Sequence, residues 1–153
     1  MPNRQSTAYG LETTEGIGLR SIHQIISYSD FTDGGSTAGT YNMLKQIPAG
    51  SIVIASKVNV LEAFDGGSNS TFTLDIGNSG DPDAYSYTTH NLATAANNLL
   101  EHADISAGGT VAGNVLVTSA TTVLLTGTVD SDWTTLDAGK IEVWVFYFST
   151  NPE

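Results

Sequence analysis

The run Val143-Trp144-Val145-Phe146-Tyr147-Phe148 limits what this chain can fold into more than any other segment. It is six large apolar residues long, all β-branched or aromatic, and holds no turn former. Such a run reads as a β-strand, here spanning residues 140–149. Successive side chains of a strand point to opposite faces, so Val143, Val145 and Tyr147 share one side and Trp144, Phe146 and Phe148 the other. Both sides need cover, which puts the strand at the centre of a sandwich or against another subunit.

The rest of the chain alternates in the same way between glycine-rich turns. Ile22, Gln24, Ile26 and Tyr28 alternate with Ser21, His23, Ile25 and Ser27, and Asp33-Gly34-Gly35-Ser36 closes that run. A short strand over residues 40–46 ends at the Ile47-Pro48-Ala49-Gly50 corner, where a proline without an N–H belongs. Residues 51–64 form the longest strand candidate, with Ile52, Ile54, Ser56, Val58 and Val60 on one face and Val53, Ala55, Lys57, Asn59 and Leu61 on the other. The apolar pattern slips near Ala55-Ser56, which marks a bulge or bend. After Asp65-Gly66-Gly67-Ser68-Asn69, a strand places Phe72, Leu74 and Ile76 inward and Thr71, Thr73 and Asp75 outward. Residues 110–118 and 120–129 add two more strands.

Over residues 91–103 the period changes. Leu92, Ala95, Ala96, Leu99 and Leu100 recur at helical spacing, Asn91 can cap the first turn, and His102 suits the negative end of the helix dipole. The expectation is an all-β, antiparallel two-sheet sandwich of jelly-roll type, with this one short helix inserted; an immunoglobulin-like strand order is the competing topology. Residues 21–150 make the sandwich domain. Residues 1–20, small and polar but for Tyr9, Leu11, Ile17 and Leu19, read as an extended arm, frayed or ordered against a neighbouring subunit.

Composition narrows the function. The 153 residues carry 5 basic and 16 acidic side chains, a formal charge of −11, so nucleic acid and anionic membrane surfaces are expected to be repelled. No apolar run approaches a membrane span, and the first residues lack the stretch of a signal peptide. Zero cysteines exclude disulfides, thiolate nucleophiles and cysteine-ligated zinc. His23, His90 and His102 have no i, i+4 partner, no Gly-x-Ser-x-Gly elbow is present, and no residue pair is singled out for acid–base work. The chain is therefore expected not to be an enzyme and to need no cofactor.

Two binding readings remain. The loop around Asp75, Asp81 and Asp83 offers hard oxygens among glycines, as calcium requires, against the commoner alternative of a solvated turn fixed by Pro82. Tyr85, Tyr87 and Trp133 lie in or beside loops and could stack on sugar rings, or pack over the sandwich ends. The sequon Asn69-Ser70-Thr71 is a chance match in the absence of a secretion signal.

One resemblance points further. Phe31-Thr32-Asp33-Gly34-Gly35-Ser36-Thr37-Ala38-Gly39-Thr40 leads to Ile47-Pro48-Ala49-Gly50-Ser51-Ile52-Val53. Val58-Asn59-Val60-Leu61-Glu62-Ala63-Phe64-Asp65-Gly66-Gly67-Ser68 and Thr71-Phe72-Thr73-Leu74-Asp75-Ile76-Gly77 follow. This order resembles the head decoration (cement) proteins of tailed bacteriophages over residues 31–77 and the last strand. The resemblance implies a β-sandwich that trimerises on the outer capsid surface of the virion and clamps neighbouring major capsid proteins. Contacts would then fall on Tyr9, Leu11, Ile17 and Leu19 of the arm and on Trp144, Phe146 and Phe148. The alternative is a tail-fibre or receptor-recognition module that binds host glycans through Tyr85, Tyr87 and Trp133.

Overall fold

A computed structural model describes residues 18–86, 89–97, 101–102 and 115–149. Among these residues eleven strands form two antiparallel sheets: β1 (Gly18–Ser27), β2 (Thr32–Gly35), β3 (Ala38–Ile47), β4 (Ser51–Asp65), β5 (Phe72–Gly77), β6 (His90–Asn91), β7 (Ala96–Asn97), β8 (Glu101–His102), β9 (Val115–Val117), β10 (Thr121–Val129) and β11 (Ala138–Ser149). In the first sheet the order is β1-β11-β4, with β7, β8 and β9 following one another along the far edge of β4. In the second it is β2-β3-β10-β5-β6. With β7 to β9 counted as one segmented edge strand and β2 as an addition, the orders are first-eighth-third-sixth and second-seventh-fourth-fifth. That is the nested order of a jelly roll.

The alternation read from the sequence decides which side chains enter the core. Ile22 and Ile26 of β1, Val53, Val58 and Val60 of β4, and Ile141, Val143, Val145 and Tyr147 of β11 are buried from one side. Met43 and Ile47 of β3, Phe72, Leu74 and Ile76 of β5, and Val123, Leu125 and Val129 of β10 meet them from the other. At roughly 25 cal/mol per Å² of apolar area, this layer is the main stabilising term of a chain without disulfides. Gln24, on the inner side of the edge strand β1, crosses to the second sheet: its Oε1 accepts from Leu44 N–H at 3.1 Å and its amide donates to the Tyr41 hydroxyl.

The slip in β4 is a bulge. Phe146 pairs with Ala55 but Tyr147 with Val53, so Ile54 is an extra residue, and Ala55 and Ser56 are both buried. The inward set thereby shifts from Ser51 and Val53 to Ser56, Val58 and Val60. Inward placement leaves the Ser51 and Ser56 hydroxyls, on fully buried residues, without a partner among the described residues.

One element differs from expectation. Residues 91–103 hold no α-helix where they are described; β6, β7 and β8 run extended there, the last two against β4. Asn91 does accept from Ala93 N–H at 2.8 Å, as a cap would. But Leu92 donates its N–H to Phe72 O at 2.8 Å and accepts from Phe64 N–H at 3.0 Å, so strands on either side claim both its backbone groups. Leu92 is a core residue, as the spacing suggested, held between two strands and not on a helix. His102 accordingly sits opposite Ala55 in β8, with no helix dipole to complement. Two further differences are smaller. Asp33, Gly34 and Gly35 belong to β2, and the turn at Ser36 and Thr37 leads into β3 instead of closing β1. Gly18, Leu19 and Arg20 already pair with Ser149, Phe148 and Tyr147, so β1 takes in the last residues assigned to the arm.

The loop between β10 and β11 closes one end of the sandwich. Asp132 caps a 3-10 turn, Trp133–Thr135, by accepting from Thr134 N–H at 2.9 Å. Trp133 drops into an aromatic cluster with Phe31 (ring centroids 5.2 Å apart) and Phe64 (6.5 Å). The indole lies directly on Gly39 and Gly127, where a Cβ would come within 2.1 and 2.2 Å of its ring atoms. Only glycine permits that approach.

Two stability predictions follow from this packing. Gly39→Ala and Gly127→Ala each lose about 1–3 kcal/mol by overpacking, whereas Gly18→Ala, with nothing within 4 Å of its Cβ, changes stability little. Ser56→Ala, which removes an unpartnered buried hydroxyl, gains about 1 kcal/mol. Denaturant melts of the four proteins against the parent check both.

Candidate functional site

The two sheets present very different outer faces. Along the second sheet the outward residues include Thr40, Asn42, Gln46, Thr73, Asp75, Thr126 and Thr128, a surface content in water. The first sheet turns out Leu19, His23 and Ile25 from β1, Glu142, Trp144, Phe146 and Phe148 from β11, Ile52 and Leu61 from β4, and Leu116 from β9. Of the six large apolar side chains most exposed among the described residues, five lie on strands of this sheet; the sixth is Leu44 of β3. A concentration of that kind on one face marks an interaction surface.

Strand register aligns it into rows. Leu19 pairs with Phe148, Phe148 with Ile52, and Ile52 with Leu116, so one apolar row crosses four strands. Leu19 is 60 % exposed, Leu116 57 % and Phe148 37 %. The next positions along β11 are Phe146 and Trp144, whose rings stack with centroids 6.3 Å apart and 7° between planes. The imidazole of His23 stacks on Trp144 in turn, at 3.9 Å and 23°.

Beyond the aromatic ladder polar groups enter the face, set between the exposed Ile25 and Leu61. Glu142 accepts from Asn59 Nδ2 at 2.6 Å through one oxygen, and its other lies 2.8 Å from His23 Nε2. The Asn59 amide first, and His23 second, hold the Glu142 carboxyl below the usual carboxylate range. This contact fixes the imidazole over Trp144 and so sets the shape of the ladder's end.

The other candidate residues distribute as follows. Trp144, Phe146 and Phe148 do share one outward face, and Leu19 joins them from β1. Tyr9, Leu11, Ile17 and Tyr87 lie outside the described residues. Tyr85 and Trp133 are buried, at 0 % and 5 % exposure, and offer no ring face to a sugar; they pack inside the sandwich ends. Burial also raises the Tyr85 phenol pKa. Asp75, Asp81 and Asp83 do not converge, and no group of three His, Asp or Glu fit to hold a metal occurs among the described residues. Their loop is instead a turn in which Asn78 Oδ1 accepts from Gly80 N–H (2.9 Å) and Asp81 N–H (3.1 Å). Among the described residues no helix is long and apolar enough to cross a membrane.

The sequon asparagine has a different duty. Asn69 Nδ2 donates to Gly66 O, Asp132 O and Thr135 Oγ1 within 3.1 Å, and its Oδ1 accepts from Ser131 and Asp132 N–H. The amide is saturated and ties the β4–β5 loop to the β10–β11 loop. Beside it Asp130 accepts from Ser70 Oγ (2.5 Å), Ser70 N–H (2.8 Å) and Thr71 N–H (3.1 Å), and these bonds hold its carboxyl far below the ordinary range.

Ile52, Ile25, Leu61 and Leu116 belong to the apolar face although the sequence did not single them out. Alternation already puts Ile25 on the face of β1 opposite Ile22 and Ile26; that these four side chains stand on one surface depends on cross-strand register, which no local pattern encodes.

No family model matches this chain, and no curated protein matches it. Among solved structures, a chain of the "Cyanophage Pam1 capsid asymmetric unit" superposes with a TM-score of 0.51 at 16 % identity, covering 89 % of this chain and 88 % of that one. At that identity the likeness is one of fold.

The Glu142 contact gives a pH prediction. A carboxyl whose folded pKa is lowered stabilises fully above its unfolded pKa and loses that contribution as pH falls through the folded value. Thermal midpoints measured across the acid range are expected to fall less steeply for Glu142→Gln than for the parent.

Proposed function

We propose that this protein is a non-enzymatic structural component of a phage virion, which decorates the outer capsid surface as a homotrimer and bridges neighbouring major capsid proteins. The observation that carries the proposal is the outer face of the first sheet: an apolar row over four strands, continued by a Phe146–Trp144–His23 ladder. An isolated sandwich has no use for such a face; an assembly subunit does. The fold likeness to a chain of a cyanophage capsid asymmetric unit supports the same reading, as does the sequence resemblance to decoration proteins. A charge of −11 suits a protein on the outside of a shell, away from the packaged genome. Residues 1–17 reach a neighbouring protein, and the outer face holds subunits together.

The glycan-binding alternative loses two of its three rings, Tyr85 and Trp133, to the core.

Light scattering coupled to size exclusion is expected to give a stable species of three times 16.0 kDa. A monomer that stays monomeric on its capsid would overturn the trimer. Leu19→Ser and Leu116→Ser, both at well-exposed positions, are expected to leave the melting temperature of the separated subunit nearly unchanged while weakening association. Removing residues 1–17 keeps β1 whole and is expected to abolish capsid occupancy; unchanged occupancy would refute the role given to that segment.

A further inference from the structure

Among the described residues the two sheets have four edges, and three of them are blunted. β2 has four residues, two of them glycine; β6 has two; and β7, β8 and β9 divide the far edge of β4 into pieces of two or three. β1 is the exception. It runs ten residues, pairs with β11 without a break in register and holds no proline or lysine, and no described strand lies against its other edge. A long, regular edge offers a row of backbone donors and acceptors to another strand, and proteins that do not use such an edge interrupt it.

Apolar side chains gather at the same place. Of the four large apolar residues most exposed among the described residues, Leu19 and Ile25 stand on β1. A third, Leu44, lies beside it on the second sheet and donates its N–H to Gln24 Oε1 at 3.1 Å.

The residues of β1 match a second copy of themselves. Two such edges meeting about a two-fold axis run antiparallel, and directly opposite residues share a face. Two registers give the longest overlap, with either Ile22 or His23 on the axis. With Ile22 there, Leu19 meets Ile25, Ser21 meets His23, Arg20 meets Gln24 and Ile22 meets Ile22, so apolar opposes apolar and polar opposes polar. With His23 there, Leu19 meets Ser27, Ser21 meets Ile25 and Ile22 meets Gln24, and the match is lost.

We propose that β1 of a second copy of this chain adds antiparallel to the outer edge of β1, with Ile22 on the two-fold axis and Leu19 of each copy beside Ile25 of the other. A two-fold contact cannot close a three-fold ring. The contact therefore goes beyond the trimer proposed above and links subunits of neighbouring trimers through one continuous first sheet.

The chain has no cysteine, so introduced thiols report the contact without background. Full-length Leu19→Cys and Ile25→Cys chains of different tag mass are co-expressed and oxidised; both positions are exposed, so the fold tolerates the change. A disulfide forms only where Cα atoms approach within about 7 Å. Opposite residues of the proposed register meet that limit, whereas two Leu19 residues, or two Ile25 residues, stand about 20 Å apart along the strands. The expected result is a linked dimer of unlike masses in the mixture and none from either variant alone. Leu19→Cys mixed with Leu61→Cys, at an exposed position of the same face on β4, is expected to give none. Leu19 linked to Leu19 would mean parallel alignment, equal linkage to Leu61 would mean contact face to face, and either would overturn the proposal. So would no linkage at all. Light scattering on the same samples separates the two levels: a trimer without linkage refutes the edge contact and leaves the trimer standing, whereas linked pairs that never exceed two subunits support the edge contact and refute the trimer.

Discussion

A strand that is apolar on both faces must be covered on both, and β11 is such a strand at the centre of the first sheet. Its inward side chains, Ile141, Val143, Val145 and Tyr147, lie against the second sheet and are almost fully removed from water. β1 and β4 flank it along nearly its whole length, so its backbone bonds are satisfied within the sheet. The outward set, Trp144, Phe146 and Phe148, is where the monomer leaves the requirement unmet. Everything proposed about function stems from that imbalance: the inner face makes the fold, and the outer face asks for a partner.

The neighbours of β11 enlarge the imbalance. Antiparallel register sets Leu19 on one side of Phe148 and Ile52 on the other, and β9 adds Leu116 beyond. Cross-strand pairs of this kind stabilise a sheet, but here they also line up exposed apolar groups. Farther along the face Asn59 and His23 converge on Glu142, between the exposed Ile25 and Leu61, so that the imidazole is held flat on Trp144.

Away from this face, the molecule spends its loops on closing the sandwich. Trp133 seals one end against two glycines, Asn69 joins the two loops beside it with a saturated amide, and Asp130 gathers the backbone of Ser70 and Thr71. These are the residues that a search for chemistry would pick out of the sequence: an aromatic in a loop, a sequon, an acidic cluster. Each is used for packing or for hydrogen bonds within the chain, which leaves the sheet surface as the place where function is read.

Period-2 alternation was sufficient to identify β1, β4, β5 and β11 as strands and to name Phe72, Leu74 and Ile76 as inward on β5, because a strand with one face in a core must alternate. The slip at Ala55-Ser56 was visible for the same reason. Residues 91–103 misled because Leu92, Ala95, Ala96, Leu99 and Leu100 satisfy a helical period, and spacing alone does not register that Phe64 and Phe72 compete for the backbone of Leu92. Trp133 and Tyr85 misled because a loop position says nothing about what lies beneath it. By itself, then, the sequence determined that the chain is a two-sheet sandwich with a strand needing cover on both sides, since local alternation reports which faces avoid water. Tertiary structure alone decided which outer residues stand side by side. Register and bulges are set by pairings between segments far apart in the chain, and one residue of slip reverses every face.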